Sequence, residues 1–332
     1  MKQCTGCHRE LEEHQFDLDM LRNGKRLLRS RCKACRLAER RQCRKGRPTP
    51  PSPLLMDVLD DELFDIEVEG PVPDPYPTVP ERFYEPSHSG ELLRVLFIPD
   101  CHLPFHHQAN FDLMLRAAGA FRPDIVVVLG DLHDFYAVNA HGKSPVRNNS
   151  LKQEVLEASR YLRQIEQLTE GKLIYIEGNH EDRFRRYVEG RAPDLFGMTS
   201  VREILGLDKR WVWVPYTKSY RLGKLHLTHD TGTAGRNAAR QAMDVFQGSA
   251  VIGHTHRMEM SFMGNADGPP SVGCMFGWLG DPVHADYMHE VQARRNWVQG
   301  FGVGYMRPDG VVHLVPCPIV DKAVVIEGRL IT

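Results

Sequence analysis

The sequence predicts an α/β protein built on a parallel sheet, with a small metal-stapled module at the amino-terminal side. Three observations lead there. From residue 92 onward, short apolar runs alternate with stretches of helical periodicity. Five of those runs end in Asp, Asn or His. Two Cys-x-x-C pairs, Cys4/Cys7 and Cys32/Cys35, fall within the first 35 residues. With 332 residues, 42% hydrophobic and 26% charged, the chain can form about two packed domains, and wholesale disorder is excluded.

Thiolates separated by two residues on a tight turn can reach one ion. Two such turns complete a closed tetrahedral set that leaves no open position for chemistry. Cys4, Cys7, Cys32 and Cys35 are therefore expected to hold one structural Zn²⁺. A chain of fewer than about 50 residues rarely buries enough apolar surface to fold without such a staple. Four unrelated thiols, or a redox pair, is the competing reading, and the paired spacing disfavours it. Cys43 has no partner at this spacing, and eight cysteines are too few for a disulfide scaffold.

Between Arg22 and Arg47 lie twelve basic residues and one acid, Glu39, and residues 35–45 are compatible with a helix. A dense row of guanidinium groups suits phosphate contacts and predicts salt-dependent binding of nucleic acid. A solvated helix face is the plainer alternative.

The formal charge of −1 hides a partition: residues 1–48 carry +8, residues 49–91 carry −10, and the remainder carries +1. Ten of the 22 prolines lie between Pro48 and Pro86, which removes backbone donors and favours an extended, solvated spacer. The expected organisation is a basic zinc module (1–48), a Pro-rich acidic linker (49–90) and a catalytic-sized domain (91–332). The acidic run at 57–69 is a candidate competitor for the basic module. There is no internal repeat. No apolar run approaches the ~18 residues of a membrane span, and the first residues carry no secretory core, so a cytoplasmic location with reduced thiols is expected.

In the large domain, residues 92–98 read as a strand leading into Pro99-Asp100-Cys101-His102. A helix near 110–120 follows, then a buried strand at 125–129 ending in Gly130-Asp131-Leu132-His133-Asp134. Leu151, Val155, Ala158, Leu162 and Ile165 mark a helix over 151–168. The strand at 173–176 ends in Gly178-Asn179-His180-Glu181, and two later runs end in His229-Asp230 and Gly253-His254-Thr255-His256. Collected on one edge, Asp100, His102, Asp131, Asn179, His229, His254 and His256 suffice for two divalent ions, with one carboxylate bridging. Carboxylate, amide and imidazole donors without thiolate suit Mn²⁺, Fe or Zn²⁺ better than Ca²⁺.

The ordered set D-x-H, G-D-x-x-D, G-N-H-E, H and G-H-x-H resembles the calcineurin-like metallophosphoesterase superfamily, and the form of its motifs is most similar to phage-encoded members. The resemblance covers about residues 92–330 and implies two facing β-sheets flanked by helices. It implies that Asp100, His102, Asp131 and His256 hold one metal, and that Asp131, Asn179, His229 and His254 hold the other, with Asp131 shared. It also implies hydrolysis of a phosphate ester by a metal-bridging hydroxide, with His180 assisting the leaving oxygen and Asp134 orienting that imidazole. The zinc knuckles resemble the treble-clef-like modules of phage HNH and endonuclease-VII-type proteins, without the nuclease histidines.

Two departures stand out. Phosphoprotein phosphatases carry a phosphate-gripping Arg where this chain has Phe135, and the family's H-G reads His229-Asp230 here, an extra carboxylate or a turn residue. Arg183, Arg257, His133 and Lys143 are candidate phosphate contacts, His106 and His107 are expected at the surface, and Trp278, Trp297 and Phe301 are expected in the core. The leading expectation is a dinuclear-metal nucleic-acid phosphodiesterase or nuclease. The alternatives are a phosphatase or phosphodiesterase for nucleotides, small esters or phosphoprotein, and an inactive nucleic-acid-binding adaptor.

Overall fold

A strand buried on both faces must be apolar at every position, and the central strand at 125–128 is. In the computed structural model, which describes residues 2–5, 7–12, 16–22, 25–35, 83–84, 92–140, 147, 149–266, 268–284 and 296–332, the chain divides into units of residues 1–72 and 73–332. Each is described by itself.

The larger unit carries two six-stranded sheets. In the first, β6 (Leu93–Ile98), β7 (Ile125–Val128), β8 (Lys172–Ile176) and β9 (Trp211–Val214) run parallel, and β15 (Gly300–Met306) and β16 (Val312–Pro318) extend the sheet antiparallel beyond β6. The second runs in the order β13 (Met258–Asn265), β14 (Gly268–Phe276), β12 (Ser249–Ile252), β11 (Leu225–Thr228), β10 (Tyr220–Leu222) and β5 (Phe83–Tyr84).

Period-two alternation assigns each face. Val95, Phe97, Ile125, Val127, Ile174 and Ile176 of the first sheet pack on Leu222, Leu225, Leu227, Val251 and Phe276 of the second, so the sheets face one another across an apolar core. On the outer face of the first sheet, Leu96, Ile98, Val126, Val128, Leu173 and Tyr175 meet α1 (Gln108–Phe121) and α2 (Leu151–Glu166) through Phe111, Met114, Ala158, Leu162 and Ile165. Ser150 and Gln153 start α2 with a reciprocal capping box. Outside the second sheet, Ala238, Ala239 and Ala242 of α5 (Ala238–Phe246) lie on Ala250, Ile252 and Met275. The remaining helices are α3 (Asp182–Arg191) and the single turn α4 (Val201–Ile204). The fold is the expected sandwich of two facing sheets flanked by helices. No helix among the described residues is long and apolar enough to cross a membrane.

One boundary moves. Phe83–Tyr84, inside the interval read as linker, pairs parallel with β10 and forms the edge of the second sheet. Two adjacent aromatics favour a strand, and flanking prolines at 80 and 86 are tolerated at a sheet edge. The rest of 49–90, including the acidic run, lies outside the described residues, as do Cys43, Lys143 and the basic stretch after Cys35.

In the smaller unit, β1 (Lys2–Gln3) pairs with β2 (Glu10–Leu11), and β3 (Phe16–Arg22) with β4 (Lys25–Cys32). Phe16 and Leu11 pack on Cys4, Cys32 and Cys35. The four sulfurs of Cys4, Cys7, Cys32 and Cys35 lie within 4.8 Å of one another. The Cys4 Sγ accepts the Cys32 amide at 3.2 Å. A hydrogen bond with Cys32, then burial, pushes the Cys35 thiol up to about 12, the mutual penalty that a bound divalent cation relieves.

Candidate metal centre

The carboxyl ends of β6, β7, β8, β11 and β12 place their following loops along one edge of the sandwich. The Cys101 and His102 amides both donate to the Asp131 carbonyl, at 3.0 and 2.9 Å, and the Gly253 amide donates to the His229 carbonyl at 2.9 Å. These bonds tie the loops in pairs before any side chain is considered.

Three overlapping groups of donors result: Asp100, His102 and His256; His102, Asp131 and His180; and Asp131, His229 and His254, each with ligand atoms within 4.8 Å of one another. Asn179 joins the third, its Oδ1 lying 3.1 Å from His229 Nε2 and 2.8 Å from His254 Nδ1. The structure thus brings together all seven residues expected as ligands, and Asp131 sits in two of the groups. Four of them, His102, Asp131, His254 and His256, have φ between 48° and 67°, in the left-handed region that non-glycine residues rarely enter.

The donors fit divalent cations. His102 Nε2 and His256 Nε2 stand 3.0 Å apart, two imidazole edges crowded on one point. Burial alone would raise the Asp131 carboxyl, yet His180 and His229 hold it well below the usual carboxylate range; Asp100 is likewise lowered by His256. His229 shows the reverse. Burial lowers it, but Asp131 and Asp100 lift it to about 10 when no cation balances the carboxylates. Glycines complete the cradle: a Cβ at Gly178 would fall 2.1 Å from Asp131 Oδ1, and one at Gly253 2.9 Å from Asp100 Oδ2.

His180 stands beside the donors. Its Nδ1 is 3.3 Å from Asp134 Oδ2, which is also 3.3 Å from His102 Nδ1. Its Nε2 is 3.8 Å from Asp131 Oδ2. Burial opposes protonation of His180, but Asp131 and Asp134 outweigh it and raise the imidazole's pKa. Arg183 donates to the Asp134 carbonyl and carboxylate, at 3.0 Å each, and reaches His180 Nε2 at 2.9 Å.

Sequence reasoning missed two supports. The fully buried Glu181 carboxylate accepts the amides of Asp131, His133 and Gly178 and the Tyr175 hydroxyl, at 2.8–3.0 Å, and so binds two ligand loops to the sheet. Its place in G-N-H-E was the available signal. The other is a tryptophan pair: Trp278 stacks on His256 at 4.7 Å and 11°, and Trp297 meets the same ring edge-on at 4.4 Å. Trp278 and Phe301 are buried and Trp297 is half-buried.

Several expectations are corrected or narrowed. His106 is buried, not at the surface, because its ring fills a corner against Phe111 and Tyr161 and bonds Gln108 at 3.0 Å. His107 is half-buried and caps α1 by accepting the Asn110 amide. His133 is buried, and that burial pushes its pKa down to about 4. Phe135 is buried against His133 and Phe184. Asp230 turns its Oδ1 onto the Gly232 amide at 2.7 Å, as a turn residue does. Arg257 is half-buried and donates to the Ala234 carbonyl at 2.9 Å.

A sandwich of two sheets with Asp, Asn and His donors converging at one edge defines a metal-dependent phosphoesterase. Residues 93–258 match the calcineurin-like phosphoesterase family, and the chain belongs to it, as a hydrolase of phosphate esters. The chain is 27% identical to the Gene 54 protein of Mycobacterium phage D29, over 71% of this chain and 98% of that one. It is 26% identical to the Gene 54 protein of Mycobacterium phage L5 over the same shares. Among solved structures it is similar to Vacuolar Protein Sorting 29 from Cryptosporidium parvum, with 13% identity and TM-score 0.38, covering 72% of this chain and 95% of that one. It is also similar to Yfce, a phosphoesterase from E. coli, with 15% identity and TM-score 0.34, covering 67% and 98%.

Proposed function

We propose that this chain is a dinuclear-metal phosphodiesterase whose substrate is nucleic acid, cut or trimmed in the cytoplasm of a bacterial host. The hydrolytic part rests on one observation, the convergence of Asp100, His102, Asp131, Asn179, His229, His254 and His256 around a shared Asp131. The donor chemistry favours Mn²⁺, with Fe or Zn²⁺ as alternatives. When bound, two such ions neutralise phosphoryl oxygens and bring the pKa of water near neutrality.

The chain's own groups do the rest. Asp134 Oδ2 holds a proton on His180 Nδ1, and Nε2 is then the atom that passes a proton to the departing oxygen. Asp131 turns Oδ1 to the His180 amide at 2.8 Å, which leaves Oδ2 for the shared position. The nucleic-acid part is supported by the twelve basic residues between Arg22 and Arg47, joined to a Cys4 cluster read as a structural Zn²⁺ site.

The test is a panel of plasmid, linear and single-stranded DNA, RNA and bis-p-nitrophenyl phosphate with Mn²⁺. Nucleic acid should be cleaved, Asp131→Asn should abolish hydrolysis, and His180→Ala should lower kcat about 100-fold. Activity persisting in both variants overturns the site assignment. If six or more phosphates are contacted, affinity for an oligonucleotide should fall by roughly 1,000-fold between about 50 and 200 mM salt. Salt-independent affinity would remove nucleic acid as the substrate.

A further inference from the structure

Arg183 occupies the very atom of His180 from which a proton would leave. It is the second residue of α3, one turn beyond the loop that carries Asn179 and His180. Its Nη1 donates to the Asp134 carbonyl and Oδ1, and its Nη2 stands 2.9 Å from His180 Nε2. A guanidinium has five N–H donors, no acceptor, and keeps its charge at any working pH. His180 Nε2 is therefore the acceptor in this contact.

The trio differs in access. The side chains of His180 and Asp134 are 7% and 8% exposed, while that of Arg183 is 18% exposed. Its contact with Asp134 is charge-paired, whereas its contact with His180 is a bond to a neutral ring nitrogen and the weaker of the two. An arriving phosphoryl group brings negative oxygens that accept a guanidinium far better than imidazole does.

We propose that Arg183 grips a non-bridging phosphoryl oxygen of the substrate through Nη2, the arm that otherwise rests on His180 Nε2. Asp134 keeps Nη1 throughout and acts as the pivot. This rests on the phosphoesterase reading but not on nucleic acid as substrate.

The probe is inorganic phosphate, titrated calorimetrically into the Mn²⁺-loaded full chain. Wild type, Arg183→Ala, Arg183→Lys, Arg183→Gln, His180→Ala and the Arg183→Ala/His180→Ala pair are compared. Unchanged Mn²⁺ stoichiometry and melting temperature select the folded variants, and the Lys and Gln variants stand in if Ala does not fold. Losing a charge-assisted bond should weaken phosphate about 10-fold in Arg183→Ala and Arg183→Gln, with partial recovery in Arg183→Lys. The same loss should appear in the His180→Ala background, and KM for bis-p-nitrophenyl phosphate should rise in parallel. Unchanged phosphate affinity, with only kcat falling and no effect of Arg183→Ala once His180 is gone, would show that Arg183 merely braces His180, and would overturn the proposal. Phosphate binding is read without turnover. A failure of hydrolysis itself would count against the proposed function, and a failure of Arg183 to matter for phosphate would count against this inference.

Discussion

The two ends of the metal centre solve the same problem with different forces. In the Asp131–Asn179–His229–His254 group, orientation comes from directional bonds: His229 Nδ1 lies 2.8 Å from the Leu129 carbonyl, and Asn179 Oδ1 meets both imidazoles. In the Asp100–His102–His256 group, His256 Nδ1 is buried with no hydrogen-bond partner among the described residues, and the ring is held by Trp278 and Trp297 instead. A carbonyl fixes the proton on one nitrogen and leaves the other as a ligand. An aromatic face fixes the plane of the ring but says nothing about its proton. His229 is therefore preset for cation binding in both geometry and tautomer, and His256 in geometry alone.

The largest expected effect erases the distinction. Gly178→Ala drives a Cβ into Asp131, the carboxylate common to both halves, and should weaken both ions about 100-fold. Titration of Mn²⁺ followed by electron paramagnetic resonance would read this; one ion bound normally would mean the halves do not share Asp131. Trp278→Leu should separate the halves, weakening one ion about 10-fold while the other binds as in wild type. Calorimetry resolves the two events, and equal weakening of both would show that the indole supports the whole edge rather than His256.

The smallest expected effect concerns protons. In the metal-free protein His229 is lifted from 6.5 to about 10, and His180 is raised as well. A group with a raised folded-state pKa contributes stability that is complete below its unfolded value and is lost as pH climbs through the folded one. The metal-free melting temperature should therefore fall between about pH 6.5 and 10, while Mn²⁺, which requires neutral imidazole, should flatten the profile. Melting curves across that window decide, and a pH-independent metal-free protein would count against the pairing of His229 with Asp131.

Much of this was legible from the chain. The apolar run at 125–128 could only be a strand covered on both faces, and the polar residues two or three positions past each run had to collect at one edge. That one carboxylate must be shared was readable, but the residues offer both Asp100 and Asp131, and the choice of Asp131 came from the family resemblance. The supports were not readable. Trp278 reaches His256 across 22 positions of sequence, and an indole on a strand end has the same local signature whether it fills a core or clamps a ring. Glu181 was visible in its motif, but two of its four donors come from the 131–133 segment, some 50 residues away, and only folding brings them to it. His106 was misplaced because polarity predicts exposure on average, whereas a ring between Phe111 and Tyr161 can be buried once Gln108 satisfies its nitrogen.

The left-handed backbone at His102, Asp131, His254 and His256 has a bearing on how the enzyme survives without its ions. Each such conformation costs on the order of 1 kcal/mol or more, and all four lie on loops that abut one another. An ion that ligates these residues favours the strained form over every relaxed one, so occupancy and local order become a single equilibrium. The edge of the sandwich should accordingly be the first part of the large unit to admit solvent on chelation, well before the sheets part. Hydrogen exchange at these loops would then report metal loading directly, without any substrate.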